Sequence, residues 1–113
     1  MSLERALGED QGVFQKRVDV TESKELSVTD RVVVVGTTTG NITLTLPPVG
    51  EAIGKVFSVH APTIGTDTNT VTLEDHYSDS VDWNGDFTLD ADDDRILLYS
   101  DGRCWHVLNN QIA

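Results

Sequence analysis

Cysteine, aromatic residues and positive charge are all scarce in this chain of 113 residues. It holds one Cys, 6% aromatic residues, and 8 Lys and Arg against 19 Asp and Glu, for a formal net charge of −11 at pH 7. Cys104 alone cannot close a disulfide within the chain, which fits synthesis in a reducing compartment such as the cytoplasm. Because an acidic surface repels nucleic-acid phosphates and anionic membranes, we expect no nucleic acid and no membrane among the partners.

Long apolar runs are lacking too. No segment is long enough to span a bilayer, and the first residues lack the apolar region of a secretory signal. A chain of this length makes one small domain in which burial alone gives modest stability, so oligomerisation would be a natural supplement.

Helical spacing of apolar residues is nearly absent, whereas the two-residue period of β-strands begins near Val13. Short segments with this period alternate with turn signals such as Asn84-Gly85 and Asp101-Gly102. The pattern predicts an all-β fold, a small antiparallel β-sandwich or barrel of about eight short strands. We expect an N-terminal arm at residues 1–20 and a β-sandwich domain at residues 21–113.

Two of these segments, RVVVVG (31–36) and RILLYS (95–100), carry more apolar surface than one small sandwich covers. We therefore expect them to pack in the core and against other copies of the chain. The residues expected in the core or the subunit interface are Val33, Val35, Ile96, Leu98, Trp105 and Val107.

The same two segments share a faint internal echo. Each segment begins with Asp-Arg and continues as an apolar strand, a turn and a second apolar strand. The first is DRVVVVG, TTTGN and ITLTL, and the second is DRILLYS, DG and RCWHVL, so that Asp30-Arg31 matches Asp94-Arg95. The echo suggests two similar hairpins, although so short a match also arises by chance.

No group of residues has the pattern of a catalytic or metal site. Cys104 and His106 lie two positions apart on one strand face, but no third residue orients them, so we expect no enzymatic activity. The turn DADDDR (90–95) lacks the glycine and the distal glutamate of an EF-hand loop, and a solvated Asp-rich turn is the commoner explanation. His60, His76 and His106 lack ligand spacing, although one of them could bind a metal on a trimer axis. We expect no cofactor.

Aromatic residues raise one alternative function. Trp83 and Trp105, together with Tyr77, could form the platform of a carbohydrate-binding module. Each tryptophan lies in a strand-like segment beside apolar neighbours, so packing in the core or at an interface is the favoured role.

An ordered set of motifs covers about Ile42 to Leu108. It consists of ITLTLPPVGEAIGKVFSV, NTVTLED, DWNGDFTL and ILLYSDGRCWHVL. In this order the set resembles a β-module of tailed-bacteriophage virion proteins, found in capsid decoration (cement) proteins, head fibres and tail-fibre segments, commonly as a homotrimer. The segment HYSDSVDWNGD departs from the family pattern, which often has Ile-Asp-Gly there. Pro47-Pro48 ends the first strand, and we expect it to protect an edge-capable strand from edge-to-edge pairing.

The resemblance implies a decoration protein that binds the outer capsid surface as a homotrimer and stabilises it, with the major capsid protein as its partner. Such a protein would be synthesised in the host cytoplasm and would work at the virion surface. A fibre or tail-tip segment is the alternative within the same class.

The N-terminal arm is the expected capsid contact. Residues 1–31 are nearly balanced in charge, whereas residues 32–113 carry three cations against twelve acids. Such a leader is suited to docking on a partner while the acidic body faces water. The expected capsid contacts are Leu3, Arg5, Leu7, Val13, Phe14, Lys16 and Arg17.

Overall fold

The computed structural model describes residues 16–76, 80–81 and 87–112. In this part of the chain the regular secondary structure consists of β-strands alone. The all-β prediction is confirmed, and no helix in these ranges is long and apolar enough to cross a membrane. The strands are β1 (Arg17–Val20), β2 (Lys24–Glu25), β3 (Val32–Val35), β4 (Ile42–Thr45), β5 (Val56–Ala61), β6 (Val71–Glu74), β7 (Ser80–Val81), β8 (Phe87–Leu89), β9 (Asp94–Ser100) and β10 (Cys104–Gln111).

The strands form two mixed sheets. One sheet has six strands in the order β1-β3-β5-β9-β10-β7, and the other has four in the order β2-β4-β6-β8. The prediction of antiparallel pairing is wrong for the strands from β1 to β6, where β1–β3, β3–β5, β2–β4 and β4–β6 are parallel pairs. β7 also pairs in parallel with β10. The pairs β5–β9, β9–β10 and β6–β8 are antiparallel.

Parallel pairing without helices follows from the path of the chain. From β1 to β6, each strand lies in the opposite sheet from the strand before it. A strand of one sheet therefore serves as the crossover between two parallel strands of the other, a role that a helix usually has. The chain makes successive coils in the manner of a β-helix, and the antiparallel strands β8, β9 and β10 follow them.

Both sheets contribute side chains to one core, because inward-facing positions are aligned across the strands. Val33 pairs with Val59 and Val59 with Ile96 in one sheet, and Leu44 pairs with Leu73 in the other. All five side chains are buried, and burial of one such side chain stabilises the fold by about 1.5–3 kcal/mol. Of the residues expected in the core or the subunit interface, Val33, Val35, Ile96, Leu98 and Trp105 are buried, and Val107 is partly buried against the core.

The β-body begins earlier than residue 21. Arg17–Val20 form β1 at the edge of the six-stranded sheet and pair in register with Val32–Val35 of β3. The reason is that Val18 and Val20 alternate with polar residues, as a half-buried strand requires. The last four residues of the expected arm, 17–20, are therefore part of the sheet, and residues 1–15 of that arm lie outside the described residues.

The expectation for Pro47-Pro48 is also corrected. The prolines follow β4, but β4 lies between β2 and β6 and is not an edge strand. Leu46, just before them, still donates its backbone N–H to the carbonyl of Glu74 at 2.8 Å. The prolines therefore end a strand that is paired on both sides, because neither can donate a further ladder bond.

The internal echo does not extend to two similar hairpins. β3 and β4 lie in different sheets, whereas β9 and β10 pair with each other. What the two segments share is their first residue, an aspartate that closes a turn before a strand. Asp30 accepts the backbone N–H of Ser27 at 2.9 Å, and Asp94 accepts that of Ala91 at 2.9 Å.

Candidate functional site

The outer face of the six-stranded sheet carries apolar side chains that the core does not use. In β3 and β9 buried residues alternate with partly buried ones, which places Val32, Val34, Leu97 and Tyr99 on the side away from the core. Val56 of β5 lies on the same side and is 41% exposed. The outer face is defined here as the outward side chains of β3, β5, β9 and β10.

Two depressions mark this face, one on each side of a central row of side chains. The row consists of Val32, Ser58 and Leu97, which pair directly across three strands. One depression has a volume of about 510 Å³ and is lined in part by His60 and Arg95. The other has a volume of about 380 Å³ and is lined in part by Arg31 and Val56. Because β3 and β9 run in opposite directions, their leading arginines lie at opposite ends of the face.

Negative charge is missing from the centre of this face. In the described strands β3, β5, β9 and β10, no outward position holds a carboxylate, although the protein has 19 acidic residues. Arg95 is exposed, donates through Nε to the backbone carbonyl of Asp93 at 3.4 Å, and places Nη2 3.4 Å from Nε2 of His60. Within the described ranges, neither Arg31 nor Arg95 forms an ion pair with a carboxylate. Both guanidinium groups can therefore receive a carboxylate from a partner.

The outer side of the four-stranded sheet is different in character. Its outward positions on three adjacent strands hold threonines in direct register, and a glutamate stands in the next row. The aligned threonines are Thr43, Thr72 and Thr88, and Thr45 pairs with Glu74. This surface is polar, as expected of a sheet side that faces water.

Each of the three histidines lies beside one carboxylate, and the three pairs are separate. The pairs are His60 Nε2–Asp93 Oδ1 at 3.1 Å, His76 Nε2–Glu25 Oε2 at 3.2 Å and His106 Nε2–Asp101 Oδ2 at 2.8 Å. Among the residues that the structure describes, no group of three or more His, Cys, Asp or Glu could hold a metal ion. A metal on a trimer axis, weighed above as an alternative, is not tested by this single chain, because its ligands would come from several copies of the chain.

Asp101 organises the turn between β9 and β10. Its Oδ1 accepts the backbone N–H groups of Arg103 and Cys104, each at 2.8 Å. The hydrogen bond from His106, followed by those two backbone bonds, lowers the pKa of Asp101 from 3.8 to about 2. The ionised carboxylate is thus an integral part of the turn.

The Asp-rich turn at 90–95 uses its carboxylates for separate structural tasks. Asp92 accepts the backbone N–H of Thr66 at 2.8 Å and the hydroxyl of the same residue at 2.5 Å, and these bonds lower the pKa of Asp92. Asp94 is buried and accepts the N–H of Ala91, whereas Asp93 has a φ of 65° and faces His60. The carboxylates point to different partners, which is the arrangement of a hydrogen-bonded turn.

Hydrogen bonds join the loop at residues 47–55 to the turn at residues 100–104. We refer to these two segments together as the junction. At its centre, the buried Ser100 donates its hydroxyl to the carbonyl of Val49 at 2.7 Å and accepts the N–H of Gly102 at 3.1 Å. The carbonyl of Ser100 accepts the N–H of Gly54 at 2.8 Å. One serine thus links two loops that are far apart in sequence.

Gly102 lets the two loops approach closely. Its φ of 92° lies in the left-handed region that favours glycine. A Cβ at this position would stand only 2.6 Å from Cδ1 of Ile53. The side chain of Ile53, which is 63% exposed, therefore occupies space that any other residue at position 102 would need.

Trp105 does not present its ring to a sugar. The side chain is fully buried and makes an edge-to-face contact with Phe57, with ring centroids 5.4 Å apart. The other proposed platform residues, Trp83 and Tyr77, lie outside the described residues. Cys104 is partly buried, and its Sγ lies 3.4 Å from the carbonyl oxygen of Trp105.

Most of the expected capsid contacts lie outside the residues that the structure describes. Lys16 and Arg17 are exposed, and Arg17 forms an ion pair with Asp19 at 2.7 Å on the edge strand β1. The remaining members of that set are not among the described residues, namely Leu3, Arg5, Leu7, Val13 and Phe14.

Sequence reasoning did not single out Arg31, Arg95 or Ser100. The signal for the arginines was the repeated Asp-Arg step, in which the aspartate closes a turn and the arginine enters the outer face. No local signal identifies Ser100, because its partner Val49 becomes a neighbour only through the fold.

In comparison with known proteins, no family model, no curated protein and no solved structure matches this chain.

Proposed function

We propose that this chain is a structural protein of a tailed bacteriophage, a decoration (cement) protein that binds the outer capsid surface as a homotrimer and stabilises the shell. The junction is the observation that carries the proposal. The resemblance rests on motifs spread from Ile42 to Leu108, and two of them, the TLPP-to-GK loop and the Ser-Asp-Gly turn, meet at Ser100 and Gly102. The motif residues of this chain thus contact one another in space, which supports treating the ordered set as one structural module.

The described part of the chain also has the physical character of a rigid particle component. Hydrogen bonds from backbone N–H groups to the carboxylates of Asp92, Asp94 and Asp101 stabilise its turns, and its two sheets share one core. In the proposal the two sheets form a sandwich, the arm contacts the major capsid protein, and the β-body faces outward. The protein is synthesised in the host cytoplasm and works at the virion surface.

Electron microscopy of phage particles tests the location. Particles made from the genome that encodes this chain would be incubated with gold-labelled antibody against it. Label spread over the head supports a decoration protein. Label confined to the tail or to fibres would replace it with the fibre or tail-tip alternative, and particles without label would overturn both.

A truncation tests the role assigned to the arm. Deleting residues 1–12 leaves β1, which begins at Arg17, intact. The melting temperature should therefore stay nearly unchanged, while co-sedimentation with undecorated particles should weaken. Binding as tight as that of the full chain would show that the arm is not the anchor, and loss of folding would place the segment in the core.

Glycan-array binding separates the carbohydrate alternative from this proposal. That alternative now depends on Trp83 and Tyr77, because Trp105 is buried. Specific glycan binding that is lost in Trp83→Ala, with the fold intact, would favour a carbohydrate-binding module over a decoration protein.

A further inference from the structure

We infer that the outer face of the six-stranded sheet is the surface through which one copy of this chain docks on the next, and that it receives an acidic surface of the neighbouring copy. The inference rests on the homotrimer of the proposed function and adds to it the surface involved and the kind of contact.

The first observation is that this face has unused apolar side chains on central strands. Val32, Val34, Leu97 and Tyr99 point away from the core on strands that are paired on both sides. The four-stranded sheet, made by the same chain, presents Thr43, Thr72 and Thr88 in its central row instead. The apolar side is thus specific to one sheet, and removal of such side chains from water is the main driving force of association.

The second observation is the distribution of charge. The protein has a net charge of −11, yet the described outward positions of β3, β5, β9 and β10 hold no carboxylate. Asp19 of the edge strand β1 lies beside Val34 on the same side of the sheet, but it is already paired with Arg17. Arg31 and Arg95 stand at the two ends of this face without a carboxylate partner in the described ranges. The face is therefore complementary to the rest of the protein's own surface, and another copy is a partner of the right charge.

Charge also selects the type of contact. If the face met the same face of a second copy, the arginines would approach one another, and the carboxylates beside the face, Asp19 and Asp93, already contact Arg17 and His60. If it met a different, acidic patch of the neighbour, each guanidinium could form an ion pair. A contact between two different patches closes into a ring when the rotation allows it, and a trimer is such a ring.

Two charge changes on the face and one on the opposite sheet test the inference. Arg95→Glu reverses the charge of an exposed side chain, and Leu97→Asp places a charge in the central row. Thr72→Asp is the matched control, since it adds the same charge to the outer side of the other sheet. Circular dichroism and thermal melts verify folding of each variant, and multi-angle light scattering over a concentration series gives the mass.

The expected result is a trimer for wild type and for Thr72→Asp, with self-association at least ~10-fold weaker in Arg95→Glu and in Leu97→Asp. A wild-type monomer at micromolar concentration overturns the inference together with the trimer. A wild-type trimer whose mass is unchanged by both face variants overturns the face assignment alone. If Leu97→Asp fails to fold, Arg95→Glu decides the matter.

Particle binding is measured separately, so that failure of the proposed function can be recognised. A wild-type trimer that requires the face but does not bind undecorated particles leaves the inference standing and removes the capsid role. An acidic phage protein that binds wild type but not Arg95→Glu, while wild type alone stays monomeric, assigns the face to a foreign partner and overturns the inference.

Discussion

Gly102 shows how a single residue determines the junction. In Gly102→Ala the backbone would stay at a φ of 92° and the new Cβ would meet Ile53 at 2.6 Å. We expect a loss of about 1–3 kcal/mol in the free energy of unfolding, measured by urea denaturation. Gly40→Ala is the control, because a Cβ there has no neighbour within 4 Å, and it should change stability by less than about 1 kcal/mol. Equal effects of the two substitutions would contradict the assignment.

Asp101 makes the turn between β9 and β10 sensitive to acid. Its pKa in the folded protein, about 2, is below the reference value of 3.8, so its stabilising effect is present above pH ~3.8 and is lost as the pH falls towards 2. The difference in unfolding free energy between wild type and Asp101→Asn should therefore shrink over this range. Chemical denaturation at a series of pH values measures it, and a difference that stays constant from pH 5 to pH 2 would refute the prediction.

Trp105 has the largest side chain in the core. Trp105→Ala should lower the unfolding free energy by about 3–5 kcal/mol, the usual range for a buried large aromatic residue. Trp105→Phe should have a smaller effect, because it keeps an aromatic contact with Phe57 and removes an indole N–H that has no hydrogen-bond partner. A loss below about 1 kcal/mol for Trp105→Ala would mean that the ring is not packed in the core.

At the scale of elements, the junction depends on the hydroxyl of Ser100. Ser100→Ala would leave the carbonyl of Val49 and the N–H of Gly102 without their present partner. An unfolding free energy lower by about 1–3 kcal/mol is expected. Thr88→Ala, an exposed hydroxyl deletion on β8, should stay within about 0.5 kcal/mol of wild type. Hydrogen exchange at Gly54 and Gly102 should quicken in the serine variant alone, and unchanged exchange would disprove the link.

The positions of strands could be predicted from the sequence, but their directions could not. The two-residue period of segments such as RVVVVG and ITLTL marks β3 and β4, because alternation between core and surface needs only local information. The same alternation suits a parallel and an antiparallel neighbour equally well. Direction depends on the sheet to which the next strand belongs, and no local pattern encodes that choice.

The candidate site was predictable in part. An apolar run with no polar alternation, Val32–Val35, indicates a strand that has apolar side chains on both faces and is buried from both sides. The pairing of Val32 with Ser58 and Leu97, which builds the outer face, depends on residues far apart in sequence. Arg31 and Arg95 come to the same face only because β3 and β9 flank β5 in one sheet, and that arrangement cannot be derived from a local pattern.

The whole molecule should be least soluble near its isoelectric point. With a net charge of −11 at pH 7 and an isoelectric point near 4.3, mutual repulsion between molecules falls steadily as the pH is lowered. We expect turbidity to peak near pH 4 and to fall again at pH 3. A turbidity series at fixed protein concentration measures this, and circular dichroism at each pH separates charge effects from unfolding. Solubility that is constant from pH 7 to pH 3 would contradict the charge argument.

The route of the chain between two sheets also governs when the molecule can fold. β5 has a neighbour from earlier in the chain, β3, but its other neighbour, β9, and the ring that packs on Phe57, Trp105, are near the end. Contacts between segments so distant form slowly, because a long loop must close before they stabilise anything. The hairpin β9–β10 is the most local long pairing, and it is made after the other described strands. The strands made first therefore lack part of their sheet and of their core until β9 and β10 have been synthesised.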